Sequence, residues 1–261
     1  MDENNLKFQI IGKDKRLFFC YELMKNSGYN ARFCSDDVYI TADADCYVFG
    51  IPAKRNVFPA DLSALKRNSA IFAGMIAPDV EELLKNRGFR VFDYAKSEFF
   101  LNENAALTAE AAMTVYTGAC GRGFKGCEIL ITGFGRIGKA LARMLVAHGA
   151  NVTVSARKYE DIMNIPEYGC YPMETVAING SFDVIFNTVP ANIFTRDVLD
   201  RTETKTYVEL ASPPYGIENN SFWTEKTQVI LASGLPGKVL PVSAGSIIKE
   251  AVCTTLKEIG I

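Results

Sequence analysis

The stretch that most constrains this 261-residue chain is Cys127–Lys158, CEILITGFGRIGKALARMLVAHGANVTVSARK. An apolar run at Cys127–Thr132 leads straight into Gly133-Phe134-Gly135-Arg136-Ile137-Gly138. Ile137, Leu141, Met144 and Leu145 then recur at helical spacing, Gly149 stops the helix, and Asn151–Ala156 reads as a second strand. Strand, glycine turn, helix and strand in that order make a βαβ unit with parallel strands. Each glycine has its own reason to be there. Gly133 permits a tight turn out of the strand, Gly135 lets the backbone approach a pyrophosphate, and Gly138 lets helix and strand pack closely. The pyrophosphate belongs at the start of the helix, so Gly133, Gly135, Arg136, Ile137 and Gly138 are its expected neighbours. A GxGxxG alone is weak; with the strand, helix and second strand around it, the pattern predicts a dinucleotide site.

The end of the second strand distinguishes cofactors. An NAD site usually carries Asp or Glu there, bonding the ribose 2′-hydroxyl. This chain has Ser155-Ala156-Arg157-Lys158. The planar fork of Arg157 suits a 2′-phosphate, with Ser155 and Lys158 assisting, which favours NADP over NAD. The alternative is that Arg157 and Lys158 are a solvated charge pair. Three further strand ends face the same crevice in a doubly wound sheet: Asn187-Thr188-Val189-Pro190, Ala211-Ser212-Pro213-Pro214 and Ser233-Gly234-Leu235-Pro236-Gly237. Asn187, Thr188, Val189, Pro190, Ser212 and Gly234 are the expected lining, although ordinary turns use the same residue types.

The rest of the chain repeats the alternation. Strands are expected at Leu6–Gly12, Tyr29–Cys34, Cys46–Ile51, Ala70–Met75 and Arg90–Tyr94, and helices at Asp14–Asn26, Asp61–Asn68 and Pro78–Arg87. The first helix is expected to carry Leu17, Phe18, Tyr21 and Met24 on one face. Asn104–Thr117 is alanine-rich and helical, and the four glycines of Gly118–Gly126 read as a hinge. After the glycine loop, strands are expected at Asp183–Asn187, Thr206–Leu210 and Gln228–Ala232, and a last helix at Ser243–Ile259. The fold class is therefore α/β, two βαβ-type domains, the second a Rossmann dinucleotide-binding fold. Residues 1–117 form the first, a substrate or partner domain; 118–242 form the NADP-binding one; and the helix at 243–261 packs back on the first.

Composition excludes several roles. A formal net charge of −2 offers no basic excess for a nucleic-acid backbone. No uncharged stretch approaches the roughly 18 residues that span a bilayer, and the N-terminus lacks an apolar signal core after its basic residues. Seven cysteines without a CxxC pair read as small buried apolar groups in a reducing cytoplasm. The one histidine, His148, rules out a His-rich zinc site, and no metal is expected. His148 ends the glycine-loop helix, where it complements the dipole far from the pyrophosphate.

Taken together, the ITGFGRIGKALARMLVAHGANVTVSAR block, FNTVP at Phe186–Pro190, LAS at Leu210–Ser212, SGLPGKVLPVSAG at Ser233–Gly245 and NAALTAEA at Asn104–Ala111 resemble the A-subunit family of dipicolinate synthases. The resemblance is close over about residues 100–260 and looser over 1–99. It implies oxidation of dihydrodipicolinate, or its hydrated precursor from the lysine pathway, to pyridine-2,6-dicarboxylate during sporulation. A flavoprotein-like second subunit of the same synthase, self-association and a cytoplasmic place in the mother cell are implied with it. Such a dicarboxylate substrate calls for cations and N–H donors. Lys238, in the GLPGKVLP loop, is the favoured one; Lys54 and Arg55 are first-domain candidates or merely solvated. Glu110, beside Thr108, is a candidate base or polar anchor, or a solvated helix face. Aromatisation makes the oxidation downhill, so orientation of hydride donor and acceptor can suffice without a histidine. Two other readings stay open: a two-domain dehydrogenase of the shikimate or methylene-tetrahydrofolate type, and a cofactor-binding protein whose chemistry lies in its partner.

Overall fold

A computed structural model describes residues 6–35, 40–217 and 227–260. The chain divides into two compact units, Met1–Asn104 with Leu240–Ile261, and Ala105–Val239.

In the first unit, β1 (Lys7–Ile11), α1 (Lys15–Asn26), β2 (Asn30–Cys34), β3 (Cys46–Phe49), β4 (Ala70–Ala73), α2 (Pro78–Asn86) and β5 (Arg90–Asp93) build a parallel sheet ordered β2-β1-β3-β4-β5. Every residue of β3 and β4 is buried. Strands covered on both faces need apolar residues at every position, and alternate ones feed opposite cores. Val48 and Phe72 join Leu17 and Met24 on one face, while Tyr47, Phe49 and Ile71 join Phe58, Val80 and Leu84 on the other.

Two expectations in this unit need correction. The buried stripe of α1 is Leu17, Cys20 and Met24, whereas Phe18 is 42% exposed and packs edge-on to Phe33. Cysteine at the i+3 position completes the inward face, and Phe18 turns outward. The helix expected at Asp61–Asn68 is one 3₁₀ turn, Leu62–Ala64. Leu65 is already extended, and the next N–H, of Lys66, donates to the buried Tyr47 hydroxyl at 3.0 Å, which draws the backbone out of a helix.

A single 23-residue helix, α3 (Glu98–Cys120), carries the chain from one unit into the other. The division falls inside it, between Asn104 and Ala105, and not at the glycine-rich segment Gly118–Gly126. Gly118 continues the helix, and the remaining glycines serve its exit and the turn into the next strand.

The second unit contains β6 (Glu128–Thr132), α4 (Arg136–Ala147), β7 (Asn151–Ala156), α5 (Tyr159–Asn164), β8 (Tyr171–Glu174), β9 (Gly180–Asn187), α6 (Arg196–Asp200), β10 (Thr202–Glu209), β11 (Gln228–Leu231) and α7 (Leu235–Val239). Its parallel sheet runs β11-β10-β9-β6-β7-β8, the doubly wound order of a Rossmann fold. β8 escapes a reading by apolar runs because YPME is mostly exposed; its Pro172 is tolerated at a sheet edge.

The last helix, α8 (Pro241–Glu258), belongs to the first unit, where it packs on α1. Gly245 makes the approach possible: a Cβ there would lie 2.7 Å from the Arg16 carbonyl and 2.8 Å from the Cys20 nitrogen. All seven cysteines are free, six of them buried and Cys120 half-buried. Among the described residues no helix is long and apolar enough to cross a membrane. Replacing Gly245 by Ala forces α1 and α8 apart, and should lower unfolding free energy by about 1–3 kcal/mol, read by urea denaturation of the full chain.

Candidate dinucleotide-binding site

In the second unit the strand order reverses between β6 and β9, and the rule for open α/β sheets puts the ligand crevice beyond their C-terminal ends. A cavity of about 780 Å³ lies there, with Gly133, Gly135, Ser155, Arg157, Thr188 and Val189 in its lining. Lys158 and Pro190 also line it. The loops after β6, β7 and β9, far apart in sequence, thus meet around one space.

The three glycines do different things. Gly133 has φ +96°, and a Cβ on it would sit 2.5 Å from Thr188 Oγ1 and 2.7 Å from Val189 Cγ2. A Cβ on Gly138 would run into the Gly133 carbonyl oxygen, so α4 lies directly on the strand exit. At Gly135, the N-cap of α4, a Cβ would meet nothing within 4 Å, and no side chain caps the helix. This is the open cradle that a pyrophosphate needs, with N–H groups at a helix start and no side chain in the way among the described residues. Arg136 and Ile137, the first helical residues, flank the cradle without lining the cavity itself.

At the end of β7, the Ser155 carbonyl accepts from the Gly133 N–H at 2.9 Å. Ser155 Oγ is buried and has no hydrogen-bond partner among the described residues. A buried hydroxyl without a partner is uncommon, and here it belongs to a cavity-lining residue. Arg157 and Lys158 are exposed and hold no ion pair among the described residues. Two lining carboxylates carry no signal in the local motif, Asp161 in the first turn of α5 and Asp197 in α6.

Asn187 lies under the site and not in its lining. It is fully buried; its Nδ2 donates to the Val189 carbonyl at 3.0 Å and to Glu209 Oε1 at 2.7 Å, and its Oδ1 accepts from the Thr132 hydroxyl. The Thr132 carbonyl in turn accepts from Thr188 N and Oγ1. Glu209, 1% exposed, is the residue that sequence reasoning missed. Its signal was an acidic side chain inside the apolar run Tyr207–Ala211. Burial first, then the Glu209 charge, pushes the Tyr207 phenol pKa upward, so that hydroxyl keeps its proton and donates to Glu209 Oε2 at 2.7 Å.

The remaining candidates lie elsewhere. Ser212 and Gly234 are exposed and outside the cavity lining. Lys238, on α7, donates to the Ser233 carbonyl at 2.7 Å. Thr108 is buried in α3. Glu110 lines a different depression, with Phe124, Met144 and His148. That depression is at the far end of α4, and the twelve residues of this helix rise about 18 Å from the glycine loop. His148 rests its Nδ1 on the Met144 carbonyl at 2.8 Å, at the C-terminal end of α4. In the first unit, Arg55 spends its guanidinium on the carbonyls of Phe58, Pro59 and Ala60, fastening its own loop, while Lys54 is exposed.

Fold and site together define a nicotinamide-dinucleotide-binding domain. Residues 100–209 match the family described as D-isomer specific 2-hydroxyacid dehydrogenase, NAD binding domain. The chain is similar to the A subunit of dipicolinate synthase of Bacillus subtilis (strain 168), at 35% identity over 138 residues, which are 51% of this chain and 46% of that protein. The match thus spans about half the length of that relative. Among solved structures, the dipicolinate synthase A chain from Bacillus subtilis superposes with a TM-score of 0.79 at 23% identity, covering 98% of this chain and 97% of that one. Its counterpart from Bacillus halodurans gives 0.79 at 20% identity over 97% and 98%, and a transhydrogenase from Sinorhizobium meliloti gives 0.70 at 14% over 97% and 93%. At these identities the structures show a shared fold, and the sequence match carries the resemblance that the motifs suggested.

The contrast between two loop glycines is testable. Gly135→Val should fold, losing no more than about 1 kcal/mol of stability, yet bind neither NADPH nor NADH. Gly138→Ala should lower the melting temperature markedly, because its Cβ meets backbone. Calorimetry of each variant with and without nucleotide checks both.

Proposed function

We propose that this chain is the NADP-dependent oxidoreductase component of a synthase that oxidises dihydrodipicolinate, or its hydrated precursor, to pyridine-2,6-dicarboxylate. The open cradle at Gly135, within a cavity also lined by Arg157, is the observation that carries the reading. The matched dehydrogenase domain and the similarity to one subunit of a dipicolinate synthase support it. That the relative is named as a subunit supports a second chain as partner, for which a flavoprotein-like second subunit is the proposal. A role in the mother cell during sporulation goes with the same reading.

A bound nicotinamide cofactor would accept the hydride, while the second ring hydrogen leaves as a proton to water and a hydrated precursor also loses water. The protein's part is to bind and orient. The α4 start and Gly135 hold the pyrophosphate, Arg157 and Lys158 meet the 2′-phosphate, and Thr188, Val189 and Pro190 wall the same cavity. Asp161 lies three residues beyond Lys158; it leaves Arg157 as the first charge past the strand. Lys238 is the proposed cation for a substrate carboxylate, its ammonium exposed on α7. Glu110 is not proposed as the base, because its cavity is at the opposite end of α4. Aromatisation of the ring makes hydride loss favourable, which places the burden on orientation.

Purified chain with NADP and freshly generated dihydrodipicolinate, alone and with the flavoprotein-like partner, should give dipicolinate absorbance in at least one mixture; its absence from both would sink the reaction. Arg157→Glu should weaken NADPH binding about 10- to 150-fold, the equivalent of roughly 1.5–3 kcal/mol for a charge-assisted bond lost. NADH binding should change little, and equal weakening of both would refute the 2′-phosphate role.

A further inference from the structure

We infer that Glu209 is a positioning residue that sets the Val189 and Ile193 wall of the dinucleotide cavity. The inference rests on the dinucleotide site proposed above and adds to it a residue outside the cavity. Four donors converge on this one carboxylate. Oε1 accepts from Asn187 Nδ2 at 2.7 Å and from the Ala211 N–H at 3.0 Å. Oε2 accepts from the Tyr207 hydroxyl at 2.7 Å and from the Gly216 N–H at 2.8 Å.

These bonds reach the cavity through short paths. Asn187 holds the Val189 carbonyl and, with its Oδ1, the Val189 N–H at 3.2 Å. The same oxygen meets Thr132, the last residue of β6 before the glycine loop. Gly216, fixed by Glu209, offers its carbonyl to the N–H groups of Ile193 and Phe194 at 3.0 and 2.9 Å. Val189 and Ile193 both line the cavity. One carboxylate thus ties the ends of β6, β9 and β10 and the following loop into a single arrangement.

Geometry leaves no slack at this point. A Cβ on Gly216 would collide with Asn187 Nδ2 and stand 2.6 Å from the Tyr207 hydroxyl. Chemistry leaves none either. A carboxylate only accepts, whereas glutamine of the same shape presents an NH₂ group. With its NH₂ at the Oε1 position a glutamine would face Asn187 Nδ2 and the Ala211 N–H, donor against donor; at the Oε2 position it would face the Gly216 N–H and force the Tyr207 hydroxyl to turn and accept.

Val189 and Ile193 line one cavity with Gly135, Ser155 and Arg157. Displacing that wall should therefore weaken any ligand that fills the cavity, even at temperatures where the chain is fully folded. A residue that merely stabilised the fold would leave binding unchanged there.

The experiment measures binding of NADPH to the full wild-type chain, to Glu209→Gln and to Gly245→Ala, which is destabilised in the first unit, each well below its melting temperature. Glu209→Gln should bind NADPH at least 10-fold more weakly, and Gly245→Ala should bind it as wild type does. Equal NADPH affinity in wild type and Glu209→Gln would overturn the inference, as would the same weakening in Gly245→Ala. Wild type that binds neither NADPH nor NADH would overturn the dinucleotide reading itself, and this inference with it. Should Glu209→Gln not fold, Tyr207→Phe removes one of the four donors and keeps the ring; it should show the same loss, about 2- to 5-fold, and no loss would overturn the inference.

Discussion

The carbonyl of Gly133 and the backbone of Gly138 lie so close that no side-chain atom fits between them, and the second unit is arranged around that contact. Because α4 rests on the end of β6, its first turn opens over the sheet's C-terminal edge instead of beside it. The cradle at Gly135, the 2.9 Å bond from Gly133 to Ser155 and the approach of Thr188 and Val189 all depend on this seating. A cavity for an extended anionic ligand is then a consequence of packing: the helix supplies N–H groups where the strands stop supplying side chains.

Beneath that contact runs a polar layer inside an apolar sheet. Thr132, Asn187, Tyr207 and Glu209 are all buried, and their bonds cross from one strand end to the next. Buried polar groups are costly unless satisfied. Satisfied as they are here, they fix strand ends more tightly than apolar contacts, because a hydrogen bond fails within tenths of an ångström. The cavity wall inherits that precision from residues that do not touch the cavity.

Local signals in the sequence carried most of the fold. Continuous apolar runs identified β3 and β4, where both faces are covered. Glycine spacing identified β6, α4 and β7, because their defining contacts are close in sequence. Signals faded where polarity or distance intervened. β8 is a short exposed strand without an apolar run, and β10 begins in the polar stretch Thr202–Lys205. The turn at Leu62–Ala64 resembled a helix until Tyr47, distant in sequence from Lys66, took up the backbone. At the site, Gly133, Gly135 and Arg157 were readable from a local motif. Asn187 reads as lining and lies beneath it, since its partners Thr132 and Glu209 come from strands that only folding brings together; Glu209 stands in no motif, and its local donors Tyr207, Ala211 and Gly216 converge on it only through the turn after β10. The position of Glu110 at the far end of α4 likewise depends on how α3 packs, which helical spacing alone does not record.

The edge strand β8 carries one more consequence. It borders the sheet on one side and pairs only with β7 among the described residues. Pro172 sits at its second position, and a proline in such a strand turns its missing donor away from the neighbour it already has. An incoming extended segment would meet a gap in the ladder there, and a register that could not be closed. The sheet is thereby terminated chemically at this margin, and a protein dense in buried β-structure is guarded on that side against growing into its neighbours.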